Sequence, residues 1–389
     1  MQRTYVASIG DAESPLTWSG IPYHLTDAGR KVGFITSGLP LEAAGLPWKA
    51  RRAAWNLAQV MSGDRRGGYQ YSRGFLERLW RPFRAQVSGA AVINCFQLYA
   101  PSIVEDDAVQ KWFFIDLTLA QLLDYYRTRS SVGRRVVTDA LVREREGYHR
   151  ARGVITMSRF AADNVHQAYG VPAERIHVVV PGANLDQAAY EQWEQGEKER
   201  RDAGPVRSGG KLRLVMVSTN WQRKGLDRLL RAIAIGRRDG LQVSLRVIGN
   251  QRQELPVALT ALDDIEWMGR ISKSTDAVRF LRAVADADLG CIFSRYEAGG
   301  SVLREYHALG LGALATDAGG MPDFMFDDAS VTVKPDASDE ELAATLVALA
   351  RDEEQLAALR AAAWRRRREA LWETSVVRLR AVMSAAAST

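Results

Sequence analysis

The chain is predicted to fold as two doubly wound α/β domains in series, and three observations predict it. Short apolar runs ending in glycine or a polar residue alternate with amphipathic stretches of helical period, the pattern of a parallel sheet flanked by helices. The alternation stops near residue 186 in a charged, glycine-containing stretch poor in large apolar residues, then restarts at Leu212. A chain of 389 residues with 47% hydrophobic content is long enough to bury two ordinary cores.

The first half opens on a strand at Tyr5–Ile9, followed by a loop through Thr17-Trp18-Ser19-Gly20. A helix to about Ala28 and a second strand at Lys31–Thr36 complete the β-loop-α-β start of a doubly wound domain. Further strands are read at Ala90–Asn94, Lys111–Ile115, Val154–Met157 and His177–Val180. Ser158 is placed to cap a helix over Arg159–Tyr169, since its hydroxyl can accept from a free N–H of the first turn. The second half reads as strands at Leu212–Ser218, Val243–Ile248, Ile265–Met268, Leu289–Phe293, Gly312–Thr316 and Ser330–Val333. Helices are read at Leu226–Arg237 and Thr275–Ala285, and then from Asp339 to about Leu349 and Glu353 to about Ser384. The expected boundaries are 1–186 for the first domain, 187–211 for a linker and 212–364 for the second domain.

Chemistry concentrates between Tyr296 and Gly312, YEAGGSVLREYHALGLG. A strand leads into an acidic loop, a glycine pair and a helix start, so a ligand can approach the backbone and the free N–H groups of the helix end favour an anion. Glu305, four residues after Ser301, shares its helix face. A carboxylate there would repel a phosphate and is better suited to sugar hydroxyls; the plain alternative is an acidic loop and a surface glutamate. Arg223 and Lys224, beside Gly225 after the first strand of the second half, form a diphosphate clamp on this reading, and two solvated cations on the other.

The run resembles the paired-glutamate motif of retaining glycosyltransferases of family 4, which have the GT-B fold of two Rossmann-like domains facing each other across a cleft. The resemblance implies that Glu297 faces the donor sugar, that Glu305 binds the ribose of the nucleotide, and that Gly299, Gly300, Ser301 and Val302 lie against the sugar diphosphate. Lys224 carries the family's lysine role. The family's arginine position holds Thr219 here, with Arg223 beside the lysine instead. Gly269-Arg270-Ile271 matches the segment that lines the nucleobase, and Ser19-Gly20 is a weaker form of the loop against the donor phosphates. That loop is not the GxGxxG of dinucleotide enzymes, and Arg30 and Lys31 stand where such enzymes carry an acid. Asp116 stands where many relatives have histidine near the reacting sugar, and reads equally as a helix cap; Arg159 reads as a phosphate contact or a helix-end arginine. In the resembled fold the last helix, here 365–389, packs back on the first domain.

The resemblance implies transfer of a sugar from a nucleotide-diphosphate sugar to a hydroxyl acceptor, a glycan or lipid-linked glycan of the cell-envelope type. No cofactor is expected: there is no Cys/His or HxxxH spacing and no DxD pair, so transfer is expected to be metal-independent. Residues 48–86 hold nine basic residues against two acids, interleaved with Trp48, Trp55, Phe75, Trp80 and Phe83. Such a segment suits an anionic membrane surface, or else a core with a solvated basic face. The same charge admits a nucleic-acid binder, but no recognised binding motif accompanies it and no nucleic-acid partner is expected. Another nucleotide-sugar enzyme of the same fold, such as an epimerase, is the nearer alternative. With no long apolar run, no signal-peptide pattern and two cysteines in apolar strands, the expected location is cytoplasmic or peripheral on the inner face of the plasma membrane.

Overall fold

The apolar runs become two parallel sheets. In the computed structural model, which describes residues 3–202 and 210–386, the first half contains β1 (Thr4–Ala7), β2 (Gly10–Asp11), β3 (Ser37–Gly38), β4 (Pro40–Leu41), β5 (Ala91–Asn94), β6 (Gln110–Ile115), β7 (Gly153–Thr156) and β8 (Ile176–Val178). The second half contains β9 (Leu212–Val217), β10 (Val243–Ile248), β11 (Ile265–Gly269), β12 (Leu289–Ile292), β13 (Gly312–Thr316) and β14 (Ser330–Val333). One six-stranded sheet runs β3-β1-β5-β6-β7-β8 and the other β11-β10-β9-β12-β13-β14. Every pair in both is parallel, and only the small β2–β4 ribbon is antiparallel. Strands buried on both faces have to be continuously apolar, and β5 (AVIN) and β12 (LGCI) are buried along their whole length.

Contacts divide the chain into two units, Met1–Pro181 with Ser375–Thr389, and Gly182–Thr374. Each has its own core. In the first, Val92, Phe113, Ile115 and Val154 pack with Leu76, Trp80 and Tyr148; in the second, Leu214, Val247 and Cys291 pack with Leu229, Ile233 and Leu346. Thr118 and Ser338 close capping boxes with Gln121 and Glu341, and Ser158 accepts from the Ala161 N–H.

Three readings of the sequence need correction. The strand expected at Lys31–Thr36 is not one: the helix Ile21–Lys31 takes its first residue, Gly33 turns with φ of +64°, and the Phe34 and Ile35 N–H groups donate back to Gly29 O. Those residues close the helix, so only Ser37–Gly38 pair with β1. The stretch 187–211, expected as a linker, begins with a helix, Gln187–Asp202, whose one buried edge of Tyr190, Glu194 and Glu197 is hidden in a charged composition. Residues 203–209 lie outside the described residues. The long helix expected from Glu353 to Ser384 breaks into Glu353–Arg366 and Trp372–Ala385 around a turn at Arg367–Ala370. Glu194 draws Arg367 and Arg368 into that turn at 2.7 and 2.6 Å, and the Ala183 N–H donates to Ala370 O. The two units meet along the chain at 181–182 and at 374–375.

The basic, aromatic segment divides between the two readings given for it. Phe75, Leu76, Leu79 and Trp80 lie in the first core. The helix Leu46–Met61 instead has no buried residue. Trp48 and Trp55 lean on Phe75 and Tyr69, with ring centres 5.4 and 5.5 Å apart. On the opposite face Leu46, Leu57 and Met61 are 78%, 61% and 80% exposed.

Candidate functional site

In an open parallel sheet, ligands bind outside the carboxyl ends of the strands where the strand order reverses. In the second unit that point lies between β9 and β12, because β9 continues to β10 on one side and meets β12 on the other. β12 pairs with β9 only through Leu289 and Gly290. Beyond them the Tyr306 hydroxyl is inserted, accepting from the Val217 N–H at 3.0 Å and donating to Cys291 O at 3.3 Å. Gly290 makes room for it, since a Cβ there would sit 2.3 Å from the Tyr306 ring. The tyrosine wedges the two strands apart while satisfying both of their backbones.

Past the wedge, the two following loops rejoin. The Phe293 and Arg295 N–H groups donate to Lys224 O and Arg223 O at 3.1 and 2.9 Å. Gly225, with φ of +75°, allows this approach, because a Cβ would lie 2.2 Å from Phe293 O. The glycine also splits off Trp221–Lys224 as one helical turn, so Arg223 and Lys224 stand at its end and not at the mouth of the longer helix Leu226–Arg238. The pairing brings Glu297 onto both cations. Its Oε2 accepts from Arg223 at 2.6 Å, from Lys224 and from Ser294 at 3.3 Å. Burial pushes the Lys224 ammonium below its usual range and Arg223 adds to this, while the Glu297 charge works against both. Two cations and one anion within hydrogen-bond reach leave a positive site at the switch point.

Glu305 projects from the helix Ser301–Ala308, is 1% exposed, and pairs through Oε1 with Lys273 at 2.5 Å. Its Oε2 is buried with no hydrogen-bond partner among the described residues. Burial pushes the Glu305 carboxyl up, and the Lys273 and Lys224 charges pull it down. Gly299 and Gly300 have a packing role besides any ligand approach: Cβ atoms there would meet Phe324 at 2.4 Å and Leu303 at 2.5 Å. Ser301 begins the helix and Val302 is 9% exposed. Gly269 ends β11 with φ of +61°, and its carbonyl accepts from the Gly249 N–H at 2.7 Å; Arg270 beyond it is exposed and Ile271 half-buried. Asn250, just after β10, is 1% exposed with its Nδ2 on Glu254 at 2.8 Å and its Oδ1 unpartnered among the described residues. His307 is structural: it is fully buried, burial drives it down to about 3, and its Nε2 accepts from the Phe326 N–H at 3.3 Å.

The other four candidate residues belong to the first unit. Trp18, Ser19 and Gly20 all take positive φ, at +42°, +58° and +85°, just before the helix Ile21–Lys31. Two consecutive non-glycine residues in that region store strain, which concentrates at binding sites. Asp116 is half-buried directly after β6, and it is not the helix cap: Thr118 caps Leu119–Tyr125. Arg159 is exposed in the first turn of its helix. Ser294, Tyr306 and Lys273 were missed as site residues. Tyr306 carried only an apolar signal, and Lys273 no signal beyond its charge. Among the described residues no cluster of His, Cys, Asp and Glu is placed to hold a metal ion.

Residues 197–366 match the family model described as Glycosyl transferases group 1, and residues 119–187 that of Glycosyltransferase Family 4. No curated protein matches the chain. Sucrose-phosphate synthase from Thermosynechococcus elongatus is similar in structure, with a TM-score of 0.69, 15% identity and 100% of both chains covered. HepE from Anabaena, in complex with UDP and glucose, has a TM-score of 0.64 at 16% identity, covering 99% of this chain and 100% of its own. WaaG, a glycosyltransferase involved in lipopolysaccharide biosynthesis, has a TM-score of 0.53 at 15% identity, covering 95% of each chain. At such identities the likeness is one of fold, and two parallel-sheet Rossmann-like units of this kind are the GT-B fold.

Proposed function

The chain belongs to the group 1 glycosyl transferases of family 4, and on that premise we propose that it takes a sugar from a nucleotide-diphosphate donor and transfers it with retention to a glycan or lipid-linked glycan hydroxyl. The observation that carries the reading is the ion cluster of Arg223, Lys224 and Glu297 at the β9–β12 switch point. A donor diphosphate placed there takes over the two cations, which stabilise the charge that grows on the leaving phosphate. The acceptor oxygen bonds to the anomeric carbon as the bond to the phosphate oxygen breaks, and that oxygen takes the acceptor's proton. Glu297, released from the cations, faces the sugar, and Glu305 faces the ribose. No base beyond the leaving group is required, and the two cations supply the neutralising charge.

An envelope-type acceptor is supported by the helix Leu46–Met61, which carries Lys49, Arg51 and Arg52 and no acid, and exposes a second apolar stripe. That composition suits the headgroup region of an anionic bilayer. The described residues contain no helix long and apolar enough to cross a membrane. The test of the donor reading is thermal stabilisation by a panel of UDP-, GDP- and ADP-sugars: one of them is expected to raise the Tm by several degrees, about 2 °C or more. No shift with any of them overturns the reading. Anomeric analysis of the product by NMR tests retention.

A further inference from the structure

Glu305 is an acid in a place that disfavours its charge. It is 1% exposed, on the first turns of a helix packed against β12 and β13, and one oxygen has no donor among the described residues. An isolated buried carboxyl of this kind takes up a proton instead of remaining charged. A protonated carboxyl offers one donor and a weakened acceptor, whereas two neighbouring sugar hydroxyls are best held by a full carboxylate. Something has to keep the charge on.

The groups facing Glu305 are few. Lys273, in the loop between β11 and the helix Ala277–Ala285, reaches Oε1 at 2.5 Å, and its ammonium rests 5.0 Å from the centre of the Phe280 ring. Lys224 acts on Glu305 through space from the β9 side but is itself bonded to Glu297. Tyr306, next on the same helix, turns its hydroxyl to Val217 and Cys291. Lys273 is therefore the only one of these groups that touches the carboxyl, and it approaches one oxygen only, leaving Oε2 bare.

We infer that Lys273 is a positioning residue, which holds Glu305 as a carboxylate with Oε1 occupied and Oε2 presented to the ribose hydroxyls of the donor. The inference rests on the nucleotide reading above. It gives the half-exposed ammonium, 38% accessible in its side chain, a task that a surface lysine would not have. Because burial already pushes the Glu305 carboxyl up, loss of the lysine pushes it further in the same direction. Nucleotide affinity requires the ionised form, so it is lost as pH falls through the carboxyl's titration. Without Lys273 that loss sets in at higher pH than with it.

The test is calorimetric titration of wild type, Lys273→Met and Lys273→Arg with UDP, GDP and ADP at about pH 8.5 and about pH 6. For the nucleotide that wild type binds, the ratio of Lys273→Met to wild-type Kd is expected to grow roughly tenfold between the two pH values. Lys273→Arg is expected to restore the wild-type profile. The ratio cancels titration of the phosphates themselves. A ratio that is the same at both pH values overturns the inference, whether the variant binds as well as wild type or uniformly worse. Should Lys273→Met fail to fold, a Lys273→Arg profile that follows wild type supports the inference and one that weakens at low pH overturns it. Absence of binding by wild type to all three nucleotides is a different failure and removes the nucleotide reading itself.

Discussion

At the scale of single residues, charge and burial decide what can be tested. Lys224 reaches both Glu297 and the proposed diphosphate position, so Lys224→Ala is expected to lower turnover by a factor on the order of 100, with the protein still folded. Steady-state kinetics with the stabilising donor read this directly, and an unchanged kcat removes Lys224 from the clamp. Glu144 is a second buried acid, far from that cluster in sequence. It accepts from the Leu119 N–H and the Tyr148 hydroxyl, both at 2.6 Å, and from the Tyr169 hydroxyl. Burial lifts it to about 7 from an ordinary 4.5, against the three donors, which favour the charge. Between those values the folded chain holds a proton that the unfolded chain releases, so this contribution is present at low pH and is lost as pH rises toward 7. The span is about 3 kcal/mol. Urea unfolding of wild type and Glu144→Gln is therefore expected to show wild type losing stability relative to the variant from about pH 5 to about pH 8. Parallel curves exclude this account. Glu144 also holds the start of the helix that follows Asp116, so its pairing fixes the loop on which that aspartate stands.

At the scale of elements, hydrophobic period and packing part company. The stripe Phe75, Leu76, Leu79 and Trp80 and the helix Leu46–Met61 have similar amphipathic sequences, yet the first is core and the second is covered on one side only. Period shows which residues share a face; only the neighbouring element shows whether that face meets water. The exposed stripe is thus the element to test for membrane contact. Replacing Leu57 and Met61 together by Asp is expected to weaken co-sedimentation with anionic vesicles about tenfold or more, as two buried aliphatic side chains become two charges. Equal binding by the variant, or none by wild type at low salt, ends the membrane proposal. The Tyr306 wedge is another such element-level feature. Tyr306→Phe leaves the Val217 N–H without its partner and is expected to cost about 1–2 kcal/mol in urea unfolding. A variant as stable as wild type would mean that the hydroxyl does not hold β9 and β12.

At the scale of the whole molecule, the chain passes from one unit to the other twice, at 181–182 and at 374–375. The two passages are tied within the second unit. The Trp372 indole N–H donates to Asn184 Oδ1 at 2.9 Å, and Gly182 lies so close that a Cβ would sit 2.2 Å from Trp372 N. The obstacle is backbone, which cannot step aside as a side chain can. Gly182→Ala is expected to destabilise the protein by about 1–3 kcal/mol, read by urea unfolding, and a neutral effect would contradict this packing. The sequence by itself determined the alternation of strand and helix. β10, β13 and β14 begin and end where the apolar runs do, and Ser158 caps its helix, because period and capping chemistry are local. It also determined that Glu297, Glu305, Arg223 and Lys224 follow strands of one sheet, hence lie toward its carboxyl end. What the tertiary structure alone decided is which partner each of them meets. Lys273 lies 32 residues before Glu305, Phe324 follows the glycines it packs against, and the helix Gln187–Asp202 gains its buried edge from residues far along the chain. Contacts of that kind depend on distance in space, which spacing in the sequence does not encode.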